Sequence, residues 1–162
     1  MRFENKGVLV TGATGGIGRE TCLQFAAEGA AVAVTDLDLA LAERLANEIE
    51  EKGGRAVGYE LDVTNQEQTD AVVNQAATDL GSIDIIFCNA GIREIQPAHQ
   101  LPLDEWKNVI EVNVTGVFVS AQSFAKHCIS ESKPGVIINT ASTLGVMGST
   151  SRCCLLYTSP SP

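Results

Sequence analysis

At 162 residues the chain is the size of a single domain, and a hydrophobic share of 44% can build a real core. Its formal charge of −9 argues against nucleic acid or an anionic membrane as partner, because both reward clustered Lys and Arg. No apolar run approaches the length of a membrane span, and Met1 to Lys6 leads into no signal-peptide core, so a cytoplasmic protein is the expectation.

In chain order, Lys6 to Thr11 (KGVLVT) is a short apolar run that ends in a glycine cluster, and Arg19 to Glu28 reads as a helix closed by Gly29. Ala31 to Thr35 (AVAVT) is a second strand. Leu39 to Lys52 then has helical spacing at Leu41, Leu45 and Ile49, closed by Gly53 and Gly54. Ala56 to Leu61 predicts a third strand, Gln66 to Leu80 a helix ending at Gly81, and Ile83 to Cys88 (IDIIFC) a fourth strand. Pro102 precedes a long helical stretch from Leu103 to about Ile129, and Val136 to Asn139 (VIIN) is a fifth strand. Short, continuously apolar strands alternating with helices mark a parallel sheet covered on both faces. With right-handed crossovers this is the doubly wound α/β arrangement, a Rossmann-type fold.

Among the five cysteines, Cys22, Cys88 and Cys128 lie among apolar neighbours without metal or redox spacing, which predicts buried free thiols. His99 and His127 stand apart from any Cys or carboxylate at ligand spacing, so no metal site is expected.

The first strand runs into Thr11 to Gly18, TGATGGIG. Gly12, Gly16 and Gly18 would let a turn close tightly, a pyrophosphate approach the backbone and the next helix pack on the strand. A tight strand-to-helix turn would account for a glycine cluster by itself; its place between the first strand and first helix points to a dinucleotide. Asp36, at the end of the second strand, either caps the following helix or accepts from the adenosine ribose hydroxyls. The glycine context favours the second role. A 2′-phosphate there would meet a like charge, with no basic residue in the glycine loop or at Leu37, so NAD rather than NADP is the expected cofactor.

From about Lys6 to Gly148 the chain resembles the short-chain dehydrogenases/reductases of the classical type. TGATGGIG matches that family's TGxxxGxG loop, and the segment Leu61 to Val63 (LDV) resembles its adenine contact. Asn89 to Gly91 (NAG), Asn113 to Gly116 (NVTG) and Ile137 to Ser142 (IINTAS) match three further motifs in order. The resemblance implies a cofactor-binding set of Gly12, Thr14, Gly15, Gly16, Ile17, Gly18, Asp36, Leu37, Asp62, Val63, Asn89, Ala90 and Gly91. Asp62 would accept from the adenine amino group. It further implies hydride transfer between NAD(H) and a secondary alcohol or its ketone, with Ser142 orienting the substrate oxygen and Asn113 helping to hold a proton-relay water. Asn has poor helical propensity, which agrees with a functional reason for Asn113 in a helix. The implied assembly is a homodimer or homotetramer. The loop Ile92 to His99 would border the pocket, but names no substrate.

The family's remaining pair is a Tyr about a dozen residues after the Ser and a Lys four residues later, on one helical face. Here position 155 is Leu, Tyr157 lies slightly too far on, and Ser161 stands where the Lys belongs. Pro160 and Pro162 argue against a regular helix around it. The residues Cys154 to Pro162 (CLLYTSPSP) are what TGT CTC TTA TAC ACA TCT CCG AGC CCA encodes, a DNA that resembles a transposon-based sequencing-library adaptor. The expectation is therefore a truncated cofactor-binding domain over residues 1–152 and a non-native tail over 153–162, with Tyr157 a decoy. A genuine tail would instead favour a non-catalytic NAD-binding module. Another Rossmann enzyme, such as a methyltransferase, would leave the NAG motif, Asn113 and Ser142 unexplained.

Overall fold

The computed structural model describes residues 1–147, 149 and 151–158, the side chains of Leu156 and Tyr157 excepted. Strands β1 (Gly7–Thr11), β2 (Ala31–Asp36), β3 (Arg55–Glu60), β4 (Ile85–Cys88) and β5 (Val136–Asn139) alternate with helices. These are α1 (Gly16–Ala27), α2 (Leu39–Glu51), α3 (Gln66–Leu80), α4 (Leu103–Ile110) and α5 (Gly116–Ser130), followed by a short α6 (Cys153–Thr158). The sheet is parallel throughout, in the order β3-β2-β1-β4-β5.

Side chains alternate across each strand, so one sheet serves two cores. Val8, Val10, Val32 and Val34 face α1 and α2 and bury with Cys22, Leu45 and Ile49. Leu9, Ala33 and Ile86 face the other way, against Val72, Val73, Ala76 and Leu80 of α3 and Phe124 and Cys128 of α5. The N-terminus of α2 is capped by Asp38, which accepts from the Leu41 N–H at 3.1 Å, and that of α3 by Asn65, which accepts from the Gln68 N–H at 3.0 Å. Asp84, just before β4, ties the sheet's lower edge together. Its carboxylate accepts from the Gly7 N–H at 2.9 Å, from the Ser82 hydroxyl at 2.7 Å and from Lys6 Nζ at 3.2 Å.

Three expectations change. The helix expected from Arg19 begins at Gly16, because the glycine loop turns directly into its first turn. The long helix expected without a break from Leu103 is interrupted by a π turn over Glu111–Thr115, which separates α4 from α5. The segment around Tyr157 is helical from Cys153 to Thr158. Ser159 to Pro162, including the Ser161 that stands in the Lys position, lie outside the described residues, as does the side chain of Tyr157.

Strand β5 forms one edge of the sheet. Val136, Ile137 and Ile138 are 52%, 42% and 39% exposed. On α5 and the π turn, Phe118 and Val114 face solvent, whereas Val117 packs toward the α3-side core.

Candidate functional site

Strand order reverses between β1 and β4. At such a switch point the loops leaving the strands' carboxyl ends diverge and open a crevice. The loop after β1 forms its floor. Gly12 holds φ +58°, in the left-handed region, and a Cβ there would stand 2.7 Å from the Ala90 Cα. At Gly18 a Cβ would meet the Gly12 carbonyl, with Ala13 Cα at 2.8 Å and Asn89 Nδ2 at 2.9 Å. Only glycine lets α1 pack this closely on the loop. Unlike α2 and α3, helix α1 has no capping side chain. Its N-cap is Gly15, so its first N–H groups face the crevice unsatisfied by any side chain.

The β4 end is sewn to this loop. Thr11 Oγ1 accepts from the Asn89 and Ala90 N–H groups, each at 3.0 Å, and Asn89 Nδ2 donates to the Thr11 and Gly12 carbonyls at 3.1 and 3.0 Å. On the β2 side, Asp36 Oδ2 accepts from the Thr14 N–H at 2.9 Å and the Thr14 hydroxyl at 2.7 Å. Its Oδ1 accepts from the Leu37 N–H at 2.8 Å. Asp62 Oδ1 accepts from the Thr64 N–H and hydroxyl at 2.9 and 2.7 Å, which shapes the turn after β3.

These segments enclose a groove of about 680 Å³, within the range of about 300–1,000 Å³ usual for small-molecule and cofactor sites. Gly12, Thr14, Gly15, Gly16, Ile17, Asp36, Leu37, Asp62, Val63, Asn89, Ala90 and Gly91 all line it. Gly18 does not; it lies buried beneath and serves packing. Val112 lines the groove without having been expected to, and Ile92 and Arg93, expected only at its border, are part of its wall. Val112 could not be singled out from an apolar helical pattern, since core positions have the same signal.

A second cavity of about 310 Å³ continues from the groove and shares Ile17, Asn89, Ala90, Gly91, Ile92 and Arg93 with it. Asn113 and Ser142, from elements 29 positions apart in sequence, both line this cavity. The π turn carries Asn113, a setting in which such bulges are often functional. The Ile92 N–H donates to Asn113 Oδ1 and Asn113 Nδ2 donates to the Ile92 carbonyl, both at 2.9 Å. Asn113 therefore clamps the main chain that divides the two cavities. Ser142 Oγ accepts from the Leu144 N–H at 3.2 Å and starts a 3₁₀ turn over Thr143–Gly145. Leu155 and Thr158 of α6 close the far wall, and Asn113 Nδ2 reaches Thr158 Oγ1 at 3.4 Å.

The thiol pKa values of two buried cysteines are raised. Burial pushes Cys88, at the end of β4, up to about 12, and Cys22 of α1 likewise up to about 12. Among the described residues no group of His, Cys, Asp and Glu is placed to hold a metal ion. Nor is any described helix long and apolar enough to cross a membrane.

A five-stranded parallel sheet with a glycine-floored groove at its switch point defines a Rossmann-type domain. The chain belongs to the short-chain dehydrogenase/reductase family: the family model described as short chain dehydrogenase matches residues 6–159. Cyclohexanol dehydrogenase of Acinetobacter sp. (strain SE19) is 36% identical over 148 residues, covering 91% of this chain and 59% of that protein. A short-chain type dehydrogenase/reductase from Mycobacterium marinum superposes with a TM-score of 0.92 at 35% identity, over 96% of this chain and 64% of that one. The crystal structure of NAD⁺-bound xylitol dehydrogenase gives 0.91 at 35% identity, over 98% and 61%. The chain thus spans about three-fifths of the length of these relatives.

Proposed function

We propose that this chain is the cofactor-binding part of an NAD-dependent short-chain dehydrogenase/reductase that acts on a secondary alcohol or the matching ketone. The observation that carries the reading is the groove itself. A loop that a Cβ at Gly12 or Gly18 would fill, an uncapped helix N-terminus and a carboxylate at the end of β2 line one crevice. These features fit a dinucleotide: N–H groups and the positive helix end for a pyrophosphate, Asp36 for ribose hydroxyls, Asp62 for the adenine amino group. Asp36 opposes a 2′-phosphate by charge, which favours NAD over NADP. The NAD⁺-bound state of xylitol dehydrogenase supports a nicotinamide cofactor in this fold.

When bound, the nicotinamide ring supplies the hydride acceptor or donor. The chain's own contribution at that end is positional. Asn113 fixes the Asn89–Ile92 strap, and Ser142 offers a hydroxyl to orient a substrate oxygen. Proton transfer needs a Tyr with a Lys one helical turn on, and this chain carries Ser161 in that Lys position. We read residues 153–162 as adaptor-derived and the native frame as continuing past Arg152 into a Tyr-x-x-x-Lys. The protein is cytoplasmic on this reading, and the complete enzyme is a homodimer or homotetramer.

The Ser at position 161 would favour a non-catalytic NAD-binding module if the tail were native. Sequencing the source DNA beyond codon 152 and assaying the restored protein separates the two. Recovery of Tyr-x-x-x-Lys with alcohol-dependent NADH formation supports the enzyme. Recovery of the tail as written, without turnover, refutes it.

A further inference from the structure

We infer that Thr14 is a positioning residue for cofactor choice, forming with Asp36 one unit that presents a fixed carboxylate and withholds donors from a 2′-phosphate. The inference rests on the reading of the groove as a nicotinamide-dinucleotide site. Thr14 sits in the loop between β1 and α1, and Asp36 closes β2, 22 residues away. The two meet through a pair of contacts on one oxygen: the Thr14 N–H at 2.9 Å and its hydroxyl at 2.7 Å, both donating to Asp36 Oδ2. Hydrogen bonds to an ionised acceptor are the stronger kind, and two from one residue fix the carboxylate plane as well as its position.

A carboxylate offers about four lone-pair positions. Thr14 fills two and the Leu37 N–H, at 2.8 Å on Oδ1, a third. About one position then remains for an incoming group, which suits a ribose hydroxyl that donates and excludes a phosphate that can only accept. The same contacts act in the opposite direction on the loop. A phosphate beside Asp36 would need N–H and O–H donors or a cation. Thr14's two donors are spent on Asp36. Discrimination is thereby built twice from one pair: Asp36 repels the phosphate and also occupies the donors that would have received it.

Thr14→Val keeps the β-branched shape and the backbone N–H and removes only the hydroxyl. Asp36 would then lose its shortest contact and be free to turn about its side-chain torsion. The 162-residue chain, its Thr14→Val and Thr14→Ser variants are titrated with NADH and with NADPH by cofactor fluorescence, alongside thermal melts. The wild type should bind NADH more tightly. In Thr14→Val the NADH Kd should rise by roughly tenfold to a hundredfold with NADPH little changed, the loss expected of one bond to a charged group. Thr14→Ser should restore the wild-type ratio to within about twofold.

An unchanged NADH-to-NADPH ratio in Thr14→Val, or a Thr14→Ser variant impaired as badly, would overturn the assignment of Thr14 while leaving the cofactor reading intact. A wild type that binds neither dinucleotide, or both alike, refutes the reading of the groove and Asp36, and this inference with it.

Discussion

Asn113 offers the sharpest test of how the site is held. Its side chain makes both hydrogen bonds available on the Ile92 main chain, each at 2.9 Å, in a half-buried setting where water only partly replaces them. Asn113→Ala strands one N–H and one C=O at once. At about 1 kcal/mol for each lost bond, the net change should be about 2 kcal/mol. For a domain of this size each kcal/mol moves Tm by about 2–4 °C, so the melt should fall by about 4–8 °C. Asn113→Asp discriminates the mechanism: the carboxylate still accepts from the Ile92 N–H but has nothing to donate to the Ile92 carbonyl. It should therefore stay clearly below wild type despite being nearly isosteric. Thermal melts followed by circular dichroism, with urea midpoints as a check, give both values. The variants should also bind NADH more weakly, because Ile92 lines both cavities. An Asn113→Ala protein melting within about 1 °C of wild type would refute the clamp, since surface substitutions alone give changes that small.

Gly18→Ala should lose about 1–3 kcal/mol through overpacking, because its Cβ would press on the Gly12 carbonyl, Ala13 and Asn89; urea midpoints measure it, and an unchanged midpoint would show that the loop yields freely. His127 of α5 is buried with Nδ1 3.2 Å from Asn74 Oδ1 of α3, while Nε2 has no partner among the described residues. Burial holds its pKa below 6.5, with the Lys133 charge adding to the effect and Glu131 opposing it. The unfolded chain therefore binds the proton first, so the His127 contribution is present above pH 6.5 and lost as pH falls through the folded value. Urea midpoints should drop between pH 7.5 and 5.5 in wild type and much less in His127→Gln; equal drops would assign the loss elsewhere. The exposed β5 edge and the Phe118 face should make the isolated chain associate, since unpaired edges template strand pairing. Size-exclusion chromatography with light scattering reads this, and a monodisperse monomer would count against it. The chain as written should give no alcohol-dependent NADH formation, and any turnover abolished by Tyr157→Phe would make Tyr157 catalytic after all.

Most of the architecture was legible because parallel strands buried on both faces must be short and continuously apolar. VLV and VAV could be nothing else between glycine-closed helices, and Gln66 and Leu80 bound α3 as the pattern requires. The groove was legible at Gly12 to Gly18 and Asp36 through spacing that reflects backbone geometry, and at Asp62 and Asn89 to Gly91 through the family resemblance. What escaped depends on long-range pairing of side chains with main chain. Nothing local to Thr11 announces that its hydroxyl will receive two N–H groups from the end of β4, nor does Asn113 announce its hold on Ile92. The π turn escaped for a related reason: its apolar residues fit an unbroken helix, and the extra residue per turn is visible only once Asn113 has found its partner. The helix from Cys153 to Thr158 was not legible because two prolines so close in sequence signal a break.

The central claim is that the groove between β1, β2 and β4 receives a nicotinamide dinucleotide. Titrating NADH into the ¹⁵N-labelled chain and following backbone amide shifts tests it residue by residue. The account predicts saturable shifts concentrated at Gly12, Thr14 to Ile17, Asp36 to Leu37, Asp62 to Val63 and Asn89 to Gly91, with the α1–α2 surface around Leu23 and Gly54 unmoved. Absence of saturable shifts at those residues, or shifts gathered at the α1–α2 surface instead, would contradict it.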